Sequence, residues 1–208
     1  MIDKILDNIC EKINVKIKKE MPDINDERIE IIDYGLKMII GEVPKLIIML
    51  LIAYFLGVLP LTILSYIILL PYAIFAGGAH AKSHIGCIIA TPTIYCGGVI
   101  LSQNLFQEMN LEKYLLTLAV WIFGMAMCII YAPADTESVP ILRKKERKFK
   151  KIMACVTLTI SLIVSIFLNN IVISNILVFG CLIRSIMMTR PMYIVFNNKY
   201  GHEVYAQN

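Results

Sequence analysis

The fold class predicted by the sequence is an all-α, polytopic membrane helical bundle, with six transmembrane segments behind an amphipathic interfacial N-terminal region. Three observations predict it. Hydrophobic residues make up 58% of the 208 residues and the mean hydropathy is +0.70, above the roughly 45–50% apolar share of soluble domains. Apolar runs of near-spanning length recur along the chain, and the lysines and arginines gather in alternate gaps between them.

The N-terminal region, residues 1–40, carries Ile2, Ile5, Leu6, Ile9, Ile13 and Ile17 at helical spacing, with charged residues between them. That pattern fits a helix lying in the membrane surface. Pro22 breaks it. Asn25 or Asp26 can cap a second helix striped by Ile29, Ile32, Leu36 and Ile39 or Ile40. The opening residues have no apolar core and no small-residue cleavage site, so no removable signal peptide is expected.

The membrane core is expected over 41–189. A first pass runs from about Pro44, tolerated at a helix N-terminus, to Leu59, with Lys45 snorkelling to the headgroups. Gly57 and Pro60 end it. A second, Leu61 to Ala76, contains Pro71 and delivers the Gly77-Gly78 loop. The others are Ile85 to Leu101, Tyr114 to Tyr131, Ile152 to Leu168, and Ile171 to about Met188. Residues 190–208 are left as a cytoplasmic tail of what reads as one membrane domain over 1–208.

With both termini in the cytoplasm, the inner segments hold the basic residues of 1–40, Lys82, the run from Arg143 to Lys151, Arg190 and Lys199, and the outer loops hold only Lys113. This satisfies the positive-inside rule. Cys96, Cys128, Cys155 and Cys181 fall within apolar runs and no CxxC pair occurs, so no disulfide framework is read.

The stretch Gly77-Gly78-Ala79-His80-Ala81-Lys82-Ser83-His84-Ile85-Gly86-Cys87 gathers two histidines and a cysteine on the cytoplasmic side, where a free thiol survives. Either imidazole could raise the thiolate fraction of Cys87. His84 is three residues away and would neighbour Cys87 on a helix; His80, seven away, would sit roughly 10 Å along the axis unless the helix breaks. The glycines make such a break cheap. His80, His84 and Cys87 also fit three metal ligands on one helical face, and loop histidines need no role at all. Spacing leaves these alternatives open.

The run Gly77 to Ser83 followed by Cys87 resembles the signature of the AgrB family, membrane endopeptidases of bacterial quorum sensing. The segment Tyr131-Ala132-Pro133-Ala134-Asp135-Thr136, followed by Pro140 and a basic run, is similar to the family's loop after the fourth pass. The resemblance extends over essentially the whole chain. It implies a cysteine endopeptidase of the bacterial cell membrane with His80 and Cys87 as its catalytic pair and with no metal or cofactor. Its partners would be the lipid bilayer and an AgrD-type precursor peptide, with no nucleic acid; whether the chain forms a homodimer is left open. The peptide would have an amphipathic leader, a central segment containing a cysteine and an acidic tail. His80 would deprotonate Cys87, the tail would leave, and the acyl-enzyme thioester would be exchanged for a thiolactone, or a lactone where a serine replaces the precursor's cysteine.

Of the basic run, Lys144, Lys145, Arg147 and Lys148 are candidates for recruiting the acidic tail, against a purely topogenic role beside anionic lipid. Asp135 could orient the imidazole of His80, cap a helix end or pair with the basic run. Arg184 in the last pass reads as a snorkelling side chain. The rival class is a small transporter or exporter of a peptide or metal ion, using the His/Cys loop and the Gly97-Gly98 pair.

Overall fold

The apolar runs read from the sequence lie mainly in helices, and the glycine-rich gaps between them form turns, whereas the basic run before Ile152 is itself helical. The computed structural model describes residues 2–21, 24–81, 84–137 and 139–205. Among these are nine helices: α1 (Ile2–Glu20), α2 (Asp26–Phe55), α3 (Leu59–Ala76), α4 (His84–Asn104), α5 (Leu111–Tyr131), α6 (Lys144–Phe167), α7 (Ile171–Met187), α8 (Arg190–Val195) and α9 (Gly201–Tyr205). The only strand-like pairings among the described residues are two isolated bridges, Gly77 with Ala134 and Thr136 with Val139.

Four helices, α3 to α6, are long and apolar enough to cross a membrane. The sixth apolar run gives the shorter α7, of 17 residues. It makes up for length with burial: α7 packs against α3, α4, α5 and α6, and Asn175, Val178, Cys181 and Ser185 are sealed from solvent. Close approach needs a missing side chain. A Cβ at Gly180 would lie 2.3 Å from a methyl of Leu69 on α3, so a larger residue there would displace the Leu69 side chain; a small residue at such a crossing is a device of membrane bundles. Interhelical hydrogen bonds add to it: Tyr72 and Ser185 share one of 2.8 Å across α3 and α7, and Asn175 donates to the carbonyl of Ser102 at 2.8 Å. Trp121 donates to Thr159 at 3.1 Å across α5 and α6.

At the N-terminus the structure departs from the expected boundaries. The first pass was expected to start at Pro44, yet α2 runs unbroken from the amphipathic segment into the apolar run with Pro44 inside it. A proline there removes one backbone N–H and crowds the carbonyl four residues back, and the helix formers on both sides carry the helix past that local loss. Nor does Lys45 snorkel. It is buried and paired with Glu42 one turn earlier, at 2.6 Å. The preceding α1 folds against α2, with Asn14 donating to Asp33 at 2.5 Å.

Alternation of the helices places the α3–α4, α5–α6 and post-α7 segments at one end of the bundle. They interlock there. The amide of Gly78 donates to Ala134 O at 3.0 Å, that of Ala134 to Ala76 O at 2.8 Å, and that of Ala79 to Met187 O at 2.8 Å. Gly77, with φ +73°, turns out of α3 so tightly that a Cβ would sit 2.4 Å from the carbonyl oxygen of Ala134; only glycine tolerates both the left-handed φ and the contact.

Candidate active site

The glycine turn ends α3 at Ala76, and α4 begins at His84, so no single helix runs through residues 80–87. The break carries His80 on the loop and Cys87 in the first turn of α4, and both line one cavity of about 370 Å³. Four helices wall it: Glu42 and Lys45 come from α2, Tyr66 from α3, Tyr95 from α4 and Arg184 from α7. Lys82 and Ser83 of the motif, and the side chain of His84, lie outside the described residues.

The backbone of His80 is held from a distance. Its amide donates to the side-chain oxygen of Asn198 at 2.9 Å, while the imidazole is exposed on the cavity side. Protein packed near the ring, although it is not sealed from solvent, and in second place the Arg184 cation, lower His80 below the ordinary imidazole value. An imidazole held neutral in this way can accept a proton. The thiol of Cys87 is half-buried and donates to the carbonyl of Ala81 at 3.2 Å. A negative charge on that sulfur would sit where the α4 macrodipole favours anions.

Asp135 is placed elsewhere. Its carboxylate, fully buried, accepts from the amides of Ile141 at 3.0 Å and His202 at 2.9 Å, lies 2.7 Å from the imidazole of His202, and meets Arg147 at 3.2 Å. Both oxygens are thus engaged away from His80, and the pairing with the basic run is the one formed. Burial alone would push this carboxyl up, but the Ile141 amide, the hydrogen bond from His202 and the Arg147 charge outweigh it and hold it below the usual carboxylate range.

Among the basic candidates, Lys144, Lys145 and Lys148 are exposed on the first turns of α6. Arg147 is different: besides Asp135, it donates to the carbonyls of Ile141 and Pro133 at 3.3 and 3.4 Å. It fastens the 132–143 loop.

Arg184, expected to snorkel, is engaged by an aromatic neighbour. Its guanidinium donates to the hydroxyl of Tyr95 and lies over that ring, 5.4 Å from the centroid, because α4 places Tyr95 against the last turn of α7. The segment after Met187, read from the sequence as a tail, folds back under the site. Tyr193 and Tyr200 stack at 4.0 Å between ring centres, and their hydroxyls donate to Asp135 O at 2.9 Å and Met188 O at 2.7 Å. The aromatic residues after Pro191 were a legible sign of packing. Asn198 and His202, single polar residues in a polar stretch, gave none.

Fold and site together define an all-α membrane protein with a histidine on a glycine-broken loop and a cysteine in the first turn of the following helix, at one end of its bundle. Comparison with known proteins narrows this. The family model for accessory gene regulator B matches residues 10–188, and the chain belongs to that family. A putative AgrB-like protein of Clostridium beijerinckii is 29% identical over 168 residues, covering 81% of this chain and 78% of that one. The accessory gene regulator protein B of Staphylococcus aureus (strain bovine RF122 / ET3-1) is 32% identical over 147 residues, 69% of this chain and 76% of that one. A putative AgrB-like protein of Listeria innocua is 26% identical over 190 residues, 90% and 89% of the two. No solved structure matches.

Proposed function

We propose that this protein is a membrane cysteine endopeptidase and cyclase acting on an AgrD-type precursor peptide in quorum sensing. The observation that carries the reading is the helix break between Ala76 and His84, which lets His80 and Cys87, seven residues apart, line the same cavity. Family membership supports it.

In this reading the Cys87 thiol leaves the Ala81 carbonyl and gives its proton to the neutral imidazole of His80; such contacts often tighten only with substrate bound. The thiolate adds to the carbonyl carbon at the start of the precursor's tail. As the tetrahedral intermediate collapses, the C–N bond breaks, the imidazolium returns the proton to the departing amine, and an acyl thioester on Cys87 remains. The precursor's own cysteine then attacks that carbonyl. The attacking thiol gives its proton to neutral His80 as the new C–S bond closes the thiolactone and the bond to Cys87 breaks, and His80 passes that proton to the released Cys87 thiolate. One thioester replaces another, so the exchange needs no external energy source. Lys144, Lys145 and Lys148 serve as an exposed basic face that gathers an acidic tail.

The test is coexpression with the cognate precursor and mass measurement of the released fragments. Cys87→Ser should leave insertion intact and abolish cleavage, since an alkoxide forms far less readily than a thiolate. Full cleavage by that variant would remove the covalent mechanism.

A further inference from the structure

The cavity that holds His80 and Cys87 contains two cations, and they are not equivalent. Lys45 is neutralised by Glu42 at 2.6 Å. Arg184, half-buried in the last turn of the apolar α7, meets no carboxylate among the described residues: its guanidinium donates to the Tyr95 hydroxyl and lies over the Tyr95 ring face. Two other arginines near this end of the bundle, Arg147 and Arg190, are each paired with a carboxylate, Asp135 and Glu203. A guanidinium carries five N–H donors in a rigid fork matched to a carboxylate. A half-buried guanidinium beside Ile94, Tyr95 and Met187 is one that a carboxylate entering the cavity can engage through two parallel N–H···O bonds. Tyr95 keeps the fork in place, since its ring packs in turn on Tyr66, 5.2 Å between centres.

We infer that Arg184 is the seat for a carboxylate of the peptide substrate within the His80–Cys87 cavity. The inference rests on the proposed peptide-processing reading for the identity of the occupant. It adds where and how charge is read. Lys144, Lys145 and Lys148 do not line the cavity, so they can sense only the overall charge of a tail lying outside it. Arg184 shares the cavity with the nucleophile, so its carboxylate belongs to a residue close to the bond being cut. The α6 lysines would then act on encounter, through a salt-sensitive field, whereas Arg184 would act on the seated peptide through a desolvated ion pair.

The test uses the full chain bearing Cys87→Ala, which binds without cutting, reconstituted in nanodiscs. The probes are the precursor peptide and a set of analogues in which each Asp or Glu near the cut is changed singly to Asn or Gln. One of these amide analogues should bind on the order of tenfold to a hundredfold more weakly than the parent, the range for losing a hydrogen-bonded charged partner. Arg184→Gln should weaken the parent by a similar factor and leave that analogue's affinity nearly unchanged, and Arg184→Lys should restore part of the loss. If every analogue binds the Arg184-bearing chain as tightly as the parent does, the inference is overturned, whatever Arg184→Gln does to folding. If parent binding is indifferent to the carboxylates but falls when anionic lipid is left out of the nanodisc, the seat belongs to a lipid phosphate and the inference is likewise overturned. The proposed function fails separately: the chain with Cys87 intact would then fail to cut its precursor while the binding cycle still held.

Discussion

The backbone amide of His80 donates a 2.9 Å hydrogen bond to the side-chain oxygen of Asn198, a residue 118 positions further along the chain. Asn198 is itself pinned, its amide donating to Tyr193 O at 2.7 Å and its side-chain nitrogen to Phe196 O at 3.1 Å. Asn198→Ala should therefore lower kcat about tenfold with little change in KM, because the loop keeps its cavity but loses the bond that sets the imidazole's position. Asn198→Asp retains an acceptor oxygen and should recover most of the rate. Equal losses in both variants, or a loss seen only in KM, would show that the bond does not position His80.

The pH dependence follows from the surroundings of His80. Crowding by the cavity wall lowers its pKa, as do Arg184 and, more weakly, Lys45, while Glu42 raises it. The neutral, proton-accepting form therefore persists below the ordinary imidazole value of 6.5, and the acid limb of kcat/KM should fall below that value. Arg184→Gln removes one of the lowering charges, so the limb should move up towards it. A limb that moves down on this change would contradict the assignment of His80 as the base.

Reversal of the basic face should separate two roles. Changing Lys144, Lys145 and Lys148 to Glu should slow cleavage of a precursor with an acidic tail more than one with a neutral tail, and the difference should shrink as salt rises. Arg147→Glu should instead lower thermal stability on the order of 3–5 kcal/mol, since it leaves the buried Asp135 carboxylate facing a like charge. The two outcomes are read by cleavage kinetics and by thermal unfolding in detergent.

Gly77 offers a test of the interlock at the site end of the bundle. Gly77→Ala must hold a side chain at φ +73° and drive its Cβ to within 2.4 Å of Ala134 O. Strain of this kind costs on the order of 1–3 kcal/mol. Activity should fall even where the inserted protein accumulates normally, because the strain acts on the loop that carries His80; unchanged kinetics would mean that the turn is not needed for the site.

Hydropathy placed α3, α4, α5 and α7 within a few residues, because an apolar run long enough to span a bilayer records its own boundaries locally; it missed the start of α6, which begins at Lys144 rather than Ile152 because the basic run is itself helical. The break before Cys87 was legible for the same reason: Gly77 and Gly78 stand next to the residues they separate. What the sequence concealed depends on residues far apart in the chain. Nothing near Arg184 announces Tyr95, nor does anything near Asp135 announce His202, and the partners lie 89 and 67 positions away. Pro44 misled for the opposite reason. Its local signal is strong, but the long helix around it absorbs the loss.

The interlock beneath His80 also fixes when the site can come into being during synthesis. His80 and Cys87 leave the ribosome together, yet Met187 and Asn198, which tie down the loop between α3 and α4, are made a hundred or more residues later. Until α7 has inserted and residues 188–198 have folded back, the loop lacks those two ties. A chain arrested before that point would carry both His80 and Cys87 without the two hydrogen bonds that set the loop between them and α3.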